Sequence, residues 1–217
     1  GDMRTIDPVA LAFALGLLAL LPLILVTTTS FLKIAIVLSL VRNALGVQQA
    51  PPNMAIYALA VLLSMYVIAP VGYKIADIIS LEKDPTMSVR TMLDVGKKSA
   101  EPLKDFLVRN SKPEQRQFFF STAKKLWPKE VVEDATEADL LIVSPAFVVS
   151  ELTSAFEIGF LLFLPFVVID LVISNILMAM GMMMVSPVTI SLPLKLFLFV
   201  MVDGWSRLVH GLTMTYL

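Results

Sequence analysis

Two long uncharged runs constrain this chain more than any other feature. Val9 to Val26 holds 18 residues and Met54 to Gly72 holds 19, with no charge in either. A helix needs about 20 apolar residues to cross the hydrocarbon of a bilayer, so each run can span. Composition agrees. The 217 residues are 57% hydrophobic and 16% charged, with mean hydropathy +0.82, against roughly 45–50% and 25% in soluble domains. The first run is longer than the usual apolar region of a signal peptide and no small-x-small site follows it, so it is expected to be retained. Gly1 and Asp2, ahead of Met3, are given no weight.

Pro22 and Thr27-Thr28-Thr29-Ser30 interrupt the apolar pattern before Phe31 to Val41, where Lys33 places a charge. One long kinked helix fits this stretch better than two crossings. The polar segment Arg42 to Asn53, with Gly46, Pro51 and Pro52, ends that helix and turns the chain. Residues 1–80 thus form an N-terminal apolar helical hairpin, and Lys74 and Asp77 mark its exit into water.

Residues 81–143 read differently. Eleven basic residues from Lys83 to Lys129 alternate with about as many acidic ones. Ser111-Lys112-Pro113-Glu114 has the order of a capping box and predicts a helix starting there and running toward Trp127. Phe119, Ala123 and Leu126 recur at helical spacing, as do Val89, Met92 and Leu93. The pattern predicts a small amphipathic helical segment packed on itself, and no ligand site.

Residues 144–217 form a second apolar hairpin. Ser144-Pro145 reads as a cap followed by a first-turn proline that opens a third long helix. Glu151, Glu157 and Asp170 lie along it, and Pro165 can kink it. A fourth apolar helix, Leu196 to Leu212, contains Asp203 and Arg207 and is preceded by Lys195. A charge in hydrocarbon costs about 2.5–3.5 kcal/mol on insertion scales, so these groups must face protein or water. Lys195 and Arg207 are available to neutralise Asp170 or a neighbour's carboxylate. The fold class is therefore an all-α membrane protein, with two long kinked apolar helical hairpins flanking a polar helical middle.

Between the last two helices lies Gly181-Met182-Met183-Met184-Val185-Ser186-Pro187, with Met178 and Met180 just before it. Methionine is unbranched, polarizable and able to repack, so a cluster at a turn can close a hole without setting hard. The plainer reading is gap-filling in a core or contact with lipid.

Several functions are excluded. Seventeen basic and eighteen acidic residues nearly cancel, which removes global steering toward nucleic acid. There is no cysteine, and the lone His210 has no second histidine at ligand spacing. No zinc-binding pair, Gly-rich phosphate loop or nucleophile with an adjacent base is present, so neither an enzyme nor a bound cofactor or metal is expected. Asp170 and Asp203 keep one alternative open, a proton-coupled transporter relaying protons on intramembrane carboxylates. The two hairpins share topology but no residue-level repeat.

Two stretches carry a resemblance. Thr29-Ser30-Phe31 with Lys33, followed by Leu40-Val41-Arg42-Asn43-Ala44-Leu45-Gly46-Val47-Gln48-Gln49-Ala50-Pro51-Pro52-Asn53, resembles the first signature of the FliP/SctR family, a core subunit of the bacterial type III secretion export apparatus. Phe160 to Phe166, Ile169-Asp170, Met178 to Met184, Ser186-Pro187, Ile190 to Pro193, Lys195 and Val202 to Trp205 resemble the second. Val47 and Met54-Ala55-Ile56-Tyr57 look more like the virulence-injectisome branch than the flagellar one.

The resemblance implies an export gate for unfolded secreted proteins in the bacterial inner membrane. It implies a homo-oligomer, a pentamer in the family, with small two-helix subunits and one larger related subunit, and a middle segment facing the periplasm. The family's gasket maps onto Met182, Met183 and Met184, with Met180 nearby. In such an assembly Lys33, Glu151, Glu157, Asp170, Lys195, Asp203 and Arg207 are expected to pair between helices or, more specifically, between subunits.

Overall fold

The computed structural model describes residues 8–82 and 89–217. Met3 and Lys83 lie outside the described residues, as does the side chain of Val89. Among the described residues there are helices and connecting turns but no strand. In chain order they are α1 (Pro8–Thr28), α2 (Phe31–Leu45), α3 (Asn53–Leu81), α4 (Val89–Arg109), α5 (Pro113–Leu126), α6 (Lys129–Val132), α7 (Leu140–Ala179), α8 (Pro187–Met201) and α9 (Gly204–Met214). Three of them, α1, α3 and α7, are long and apolar enough to cross a membrane, and α8 with α9 supplies a fourth span if the bent pair counts as one. The chain is an all-α membrane protein.

The single kinked helix expected over Val9 to Val41 is instead two helices that break at Thr29-Ser30. The hydroxyls of Thr27 and Thr28 donate to the carbonyls of Leu23 and Ile24 at 2.8 and 2.5 Å, and that of Thr29 to Leu25. Hydroxyls turned back onto the helix in this way compete with its own hydrogen bonds. Helix α1 beyond that break has no buried residue.

Helix α2 is the central element. Ile34, Val37, Leu38, Val41 and Leu45 are buried, and they pack with Ile56 and Ala60 of α3, Ala155 of α7, and Leu208 and Leu212 of α9. The α2–α7 crossing is close because Gly159 leaves room for Leu40: a Cβ on Gly159 would sit 2.3 Å from Leu40 Cδ1 and 3.3 Å from its Cβ. The turn after α2 uses Gly46 at φ 78°. Arg42 spans it, donating to Asn53 Oδ1 at 2.5 Å and to the Pro51 carbonyl at 3.2 Å.

The middle segment packs on the hairpins more than on itself. Phe106 and Leu107 of α4 are buried with Val71 of α3, Val143 and Phe147 of α7, and Tyr216. Helix α5 lies on α7, where the Lys112 amide donates to Ser150 Oγ at 2.8 Å. Met92, Leu93 and Leu126, read as internal contacts, are exposed. The amphipathic pattern was real, but the apolar surface that received it belongs to the hairpins. The capping box also does not form. Ser111 Oγ donates to the Val108 carbonyl at 3.0 Å and receives Arg116, so it closes the end of α4, and Lys112 takes the cap position of α5 without a side-chain bond.

Helix α7 begins earlier than Ser144-Pro145 suggests, with Asp139 at its N-cap position and both residues inside it. Its 40 residues make it about 60 Å long at 1.5 Å per residue, roughly twice the hydrocarbon thickness. The expected fourth helix is broken. Asp203 adopts φ 54° and ψ 52°, and the axes of α8 and α9 differ by 59°. At this break the Phe199 ring closes on Gly204, where a Cβ would meet it at 2.3 Å, and stacks edge-on against Trp205 at 5.2 Å.

Replacing Gly159 by valine should force Leu40 aside and separate α2 from α7, at a cost of about 1–3 kcal/mol. Thermal unfolding of the detergent-solubilised protein checks this. The expected result is a lowered midpoint, and an unchanged midpoint would show that the crossing tolerates the bulk.

Candidate functional site

The second half of α7 and α8 form a hairpin whose tip carries the methionines. The tip is shaped by the backbone. Met182 N–H bonds the Leu177 carbonyl at 2.9 Å and Gly181 N–H bonds that of Met178 at 3.1 Å, with Gly181 at φ 74°. This is the Schellman termination of a helix, which places a left-handed residue, usually glycine, just past the end. Ser186 and Pro187 then open α8, with the proline in the first helical turn, where its missing N–H does no harm.

The loop side chains have almost no cover. Met183 is 82% and Met184 100% exposed, and Met180 and Met182 are exposed as well. From residue 171 to residue 190 only Leu177 is buried. Gap-filling in the core of one chain is therefore not what these methionines do.

A salt bridge staples the hairpin below its tip. Lys195 Nζ lies 2.8 Å from Asp170 Oδ2, while Ser191 Oγ donates to Asp170 Oδ1 at 2.7 Å. Lys195 also reaches the Ala44 carbonyl at 3.4 Å, which ties α8 to the C-terminal end of α2, where carbonyls lack helical partners. Ten residues separate Asp170 from Met180, about 15 Å along the helix. The tip thus projects well past its last polar anchor.

A second polar cluster sits deeper. Lys33 Nζ on α2 is 3.5 Å from Glu151 Oε1 on α7, and both side chains are almost wholly buried. Tyr216 donates its hydroxyl to Glu151 Oε2, and its ring lies 4.1 Å from Lys33 Nζ. Phe106 of α4 stacks on that ring with centroids 6.2 Å apart. Four elements therefore meet at one ion pair.

The expected charges divide accordingly. Lys33, Glu151 and Lys195 are buried, whereas Asp170 is partly open and Glu157 is exposed, bridged to Lys112 at 3.4 Å. Five of the seven have a partner in the same chain, on a facing helix or loop. Asp203 and Arg207 flank the α8–α9 break, exposed and without an ion pair among the described residues. Nothing brings them together with the methionine loop.

Tyr216 was missed as a partner. It lies 65 positions from Glu151, and no local spacing announces that contact. Ser191 belongs to a stretch the sequence singled out, but its hydrogen bond to Asp170 depends on the hairpin turn. Arg42 and Asn53 also stood in the first signature, and their pairing across the turn needed the fold.

Fold and site together define a class: helical membrane proteins in which a bundle held by internal ion pairs carries an exposed methionine-rich hairpin tip. The chain matches the FliP family over residues 14–212 and belongs to that family. It is 53% identical over 210 residues to Yop proteins translocation protein R of Yersinia pestis, covering 97% of each chain. It is 43% identical to Virulence protein YscR of Salmonella typhimurium, again over 97% of each. Harpin secretion protein HrcR of Erwinia amylovora is 43% identical over the same share of both chains. These relatives place the chain on the virulence, SctR-type branch of the family.

Truncating Lys33 to methionine should leave Glu151 buried without a cation and cost about 3–5 kcal/mol, while changing Lys33 and Glu151 together to methionine and leucine should recover most of it. Unfolding midpoints of the two single variants and the double variant measure the coupling. Additive losses would mean that the pair is not a unit.

Proposed function

We propose that this chain is a core subunit of a type III secretion export apparatus, and that its methionine loop, repeated in several copies, forms the gasket of a gated pore for unfolded proteins. The observation that carries this reading is the exposure of Met180, Met182, Met183 and Met184 at the tip of a stapled hairpin. Soft side chains without cover in one chain gain contact when identical tips converge on an axis, and each can change rotamer to fit a neighbour or a passing polypeptide. Family membership supports the assignment to the export apparatus, whose components of this type are structural, not enzymatic. The family also supports a pentameric assembly with small two-helix subunits and one larger related subunit, set in the inner membrane.

The transporter alternative rested on Asp170 and Asp203. Asp170 is bound by Lys195 and Ser191, which suits a brace better than a relay whose proton must come and go. Lys195 also reaches α2, so the brace sets the hairpin's angle to the bundle and thereby the position of the gasket.

Replacing Met182, Met183 and Met184 by alanine should remove bulk at the constriction and let ions or small solutes leak through the assembled complex. Small-solute uptake, compared at equal complex levels, is the measurement. A tight membrane with normal assembly would sink the gasket, and loss of assembly would point instead to a packing role.

The middle segment is proposed to face the periplasm. Cysteine at Lys98 or Lys124, both exposed on α4 and α5, should react with an impermeant thiol reagent added outside spheroplasts. Labelling only after lysis would reverse the placement.

A further inference from the structure

The α8–α9 break leaves a groove that the gasket does not use. It has a volume of about 620 Å³ and runs between α7, α8 and α9, with Val41 of α2 at its floor. Leu162, Phe166, Ile169, Val202 and Leu208 line it, and Arg207 is its only charged residue among the described residues. Sites that hold drug-sized ligands fall in the range of about 300–1,000 Å³ and are mostly apolar, with a few placed polar groups. Two features of the chain keep the groove open. The 59° bend swings α9 off the line of α8, and Gly211, also in the lining, leaves open space where a Cβ would stand.

We propose that this groove binds a membrane phospholipid, with an acyl chain along the apolar lining and the phosphate at Arg207. The argument is charge complementarity in an apolar setting. Arg207 has no carboxylate within 4 Å among the described residues, and a guanidinium fork matches phosphate oxygens in a bidentate manner. A phospholipid offers both an aliphatic chain and an anionic end. Asp203, exposed one helical turn before Arg207, favours a head group that carries an amine beside the phosphate over a purely anionic one. The inference does not depend on the methionine gasket.

The test uses the assembly purified from membranes in mild detergent and washed extensively, followed by native mass measurement and lipid extraction. Wild type should retain phospholipid stoichiometric with the chain, richest in the ethanolamine head group. Arg207→Gln should lower that retention about tenfold, the effect expected from losing one charge-assisted hydrogen-bonded contact. Arg207→Lys should keep most of it. Gly211→Leu fills open space in the groove and should also expel the lipid, with the mass of the protein assembly unchanged. Wild type free of phospholipid, or retention as in wild type by Arg207→Gln and Gly211→Leu, overturns the proposal. So does dissociation of the assembly by either variant, which would assign the groove to a neighbouring copy.

Discussion

Helix α2 can occupy the middle of this bundle only because its buried cation is matched. Lys33 stands among Ile34, Val37 and Leu38, which are wholly buried, and an unpaired ammonium there would cost several kcal/mol. Glu151 neutralises it, and the remaining capacity of the carboxylate is filled by the Tyr216 hydroxyl. The pair therefore fixes more than itself. It sets the register of α2 against α7, brings the chain's last turn under α4, and places Phe106 on the tyrosine ring. Such a pair contributes little net stability against an apolar substitute, but it penalises every arrangement in which the two helices slide.

That constraint propagates outward. With α2 held, the carbonyl end of the helix at Ala44 lies where Lys195 can reach it, and Lys195 in turn holds Asp170. The two ion pairs thus connect the centre of the bundle to the base of the methionine hairpin through one helix. Between Asp170 and Lys195 the chain has almost no internal packing. Apolar length beyond an anchor is unstable alone in water, and in a membrane it remains available to a partner of the same kind. The structure separates a rigid part, where charges pair inside the chain, from a projecting part, where methionines await contact.

The sequence made some of this legible, and the limits have physical causes. Uncharged runs, the turn at Gly46 and the methionine tip were all visible, because span length and glycine in the left-handed region are local requirements. The errors came where a local signal had a competing use. Ser111 has the right spacing for a capping box, but its hydroxyl serves the preceding helix. Ser144-Pro145 resembles a helix start, yet the helix begins at Leu140 and runs through the proline. The amphipathic face of α4 indicated burial without indicating the surface. Charges in apolar helices announced that partners exist, but the identity of those partners required the tertiary fold, as Tyr216 shows most clearly.

The break at Asp203 shows why an apparent fault in an apolar helix is informative. A non-glycine residue in the left-handed region carries a conformational cost of order 1–3 kcal/mol that its surroundings must overcome. Here the offset comes from Phe199 closing on Gly204 and from the edge-on contact with Trp205, both of which require the bend. A straight helix would bring α9 into line with α8 and remove the space between α9 and α7. By bending, the chain keeps Leu208 and Leu212 against α2 while leaving Arg207 and the apolar groove open beside it. The same strained residue thus completes the core on one side and creates an unfilled surface on the other, so the break belongs to the design of the bundle and also sets what must cover it.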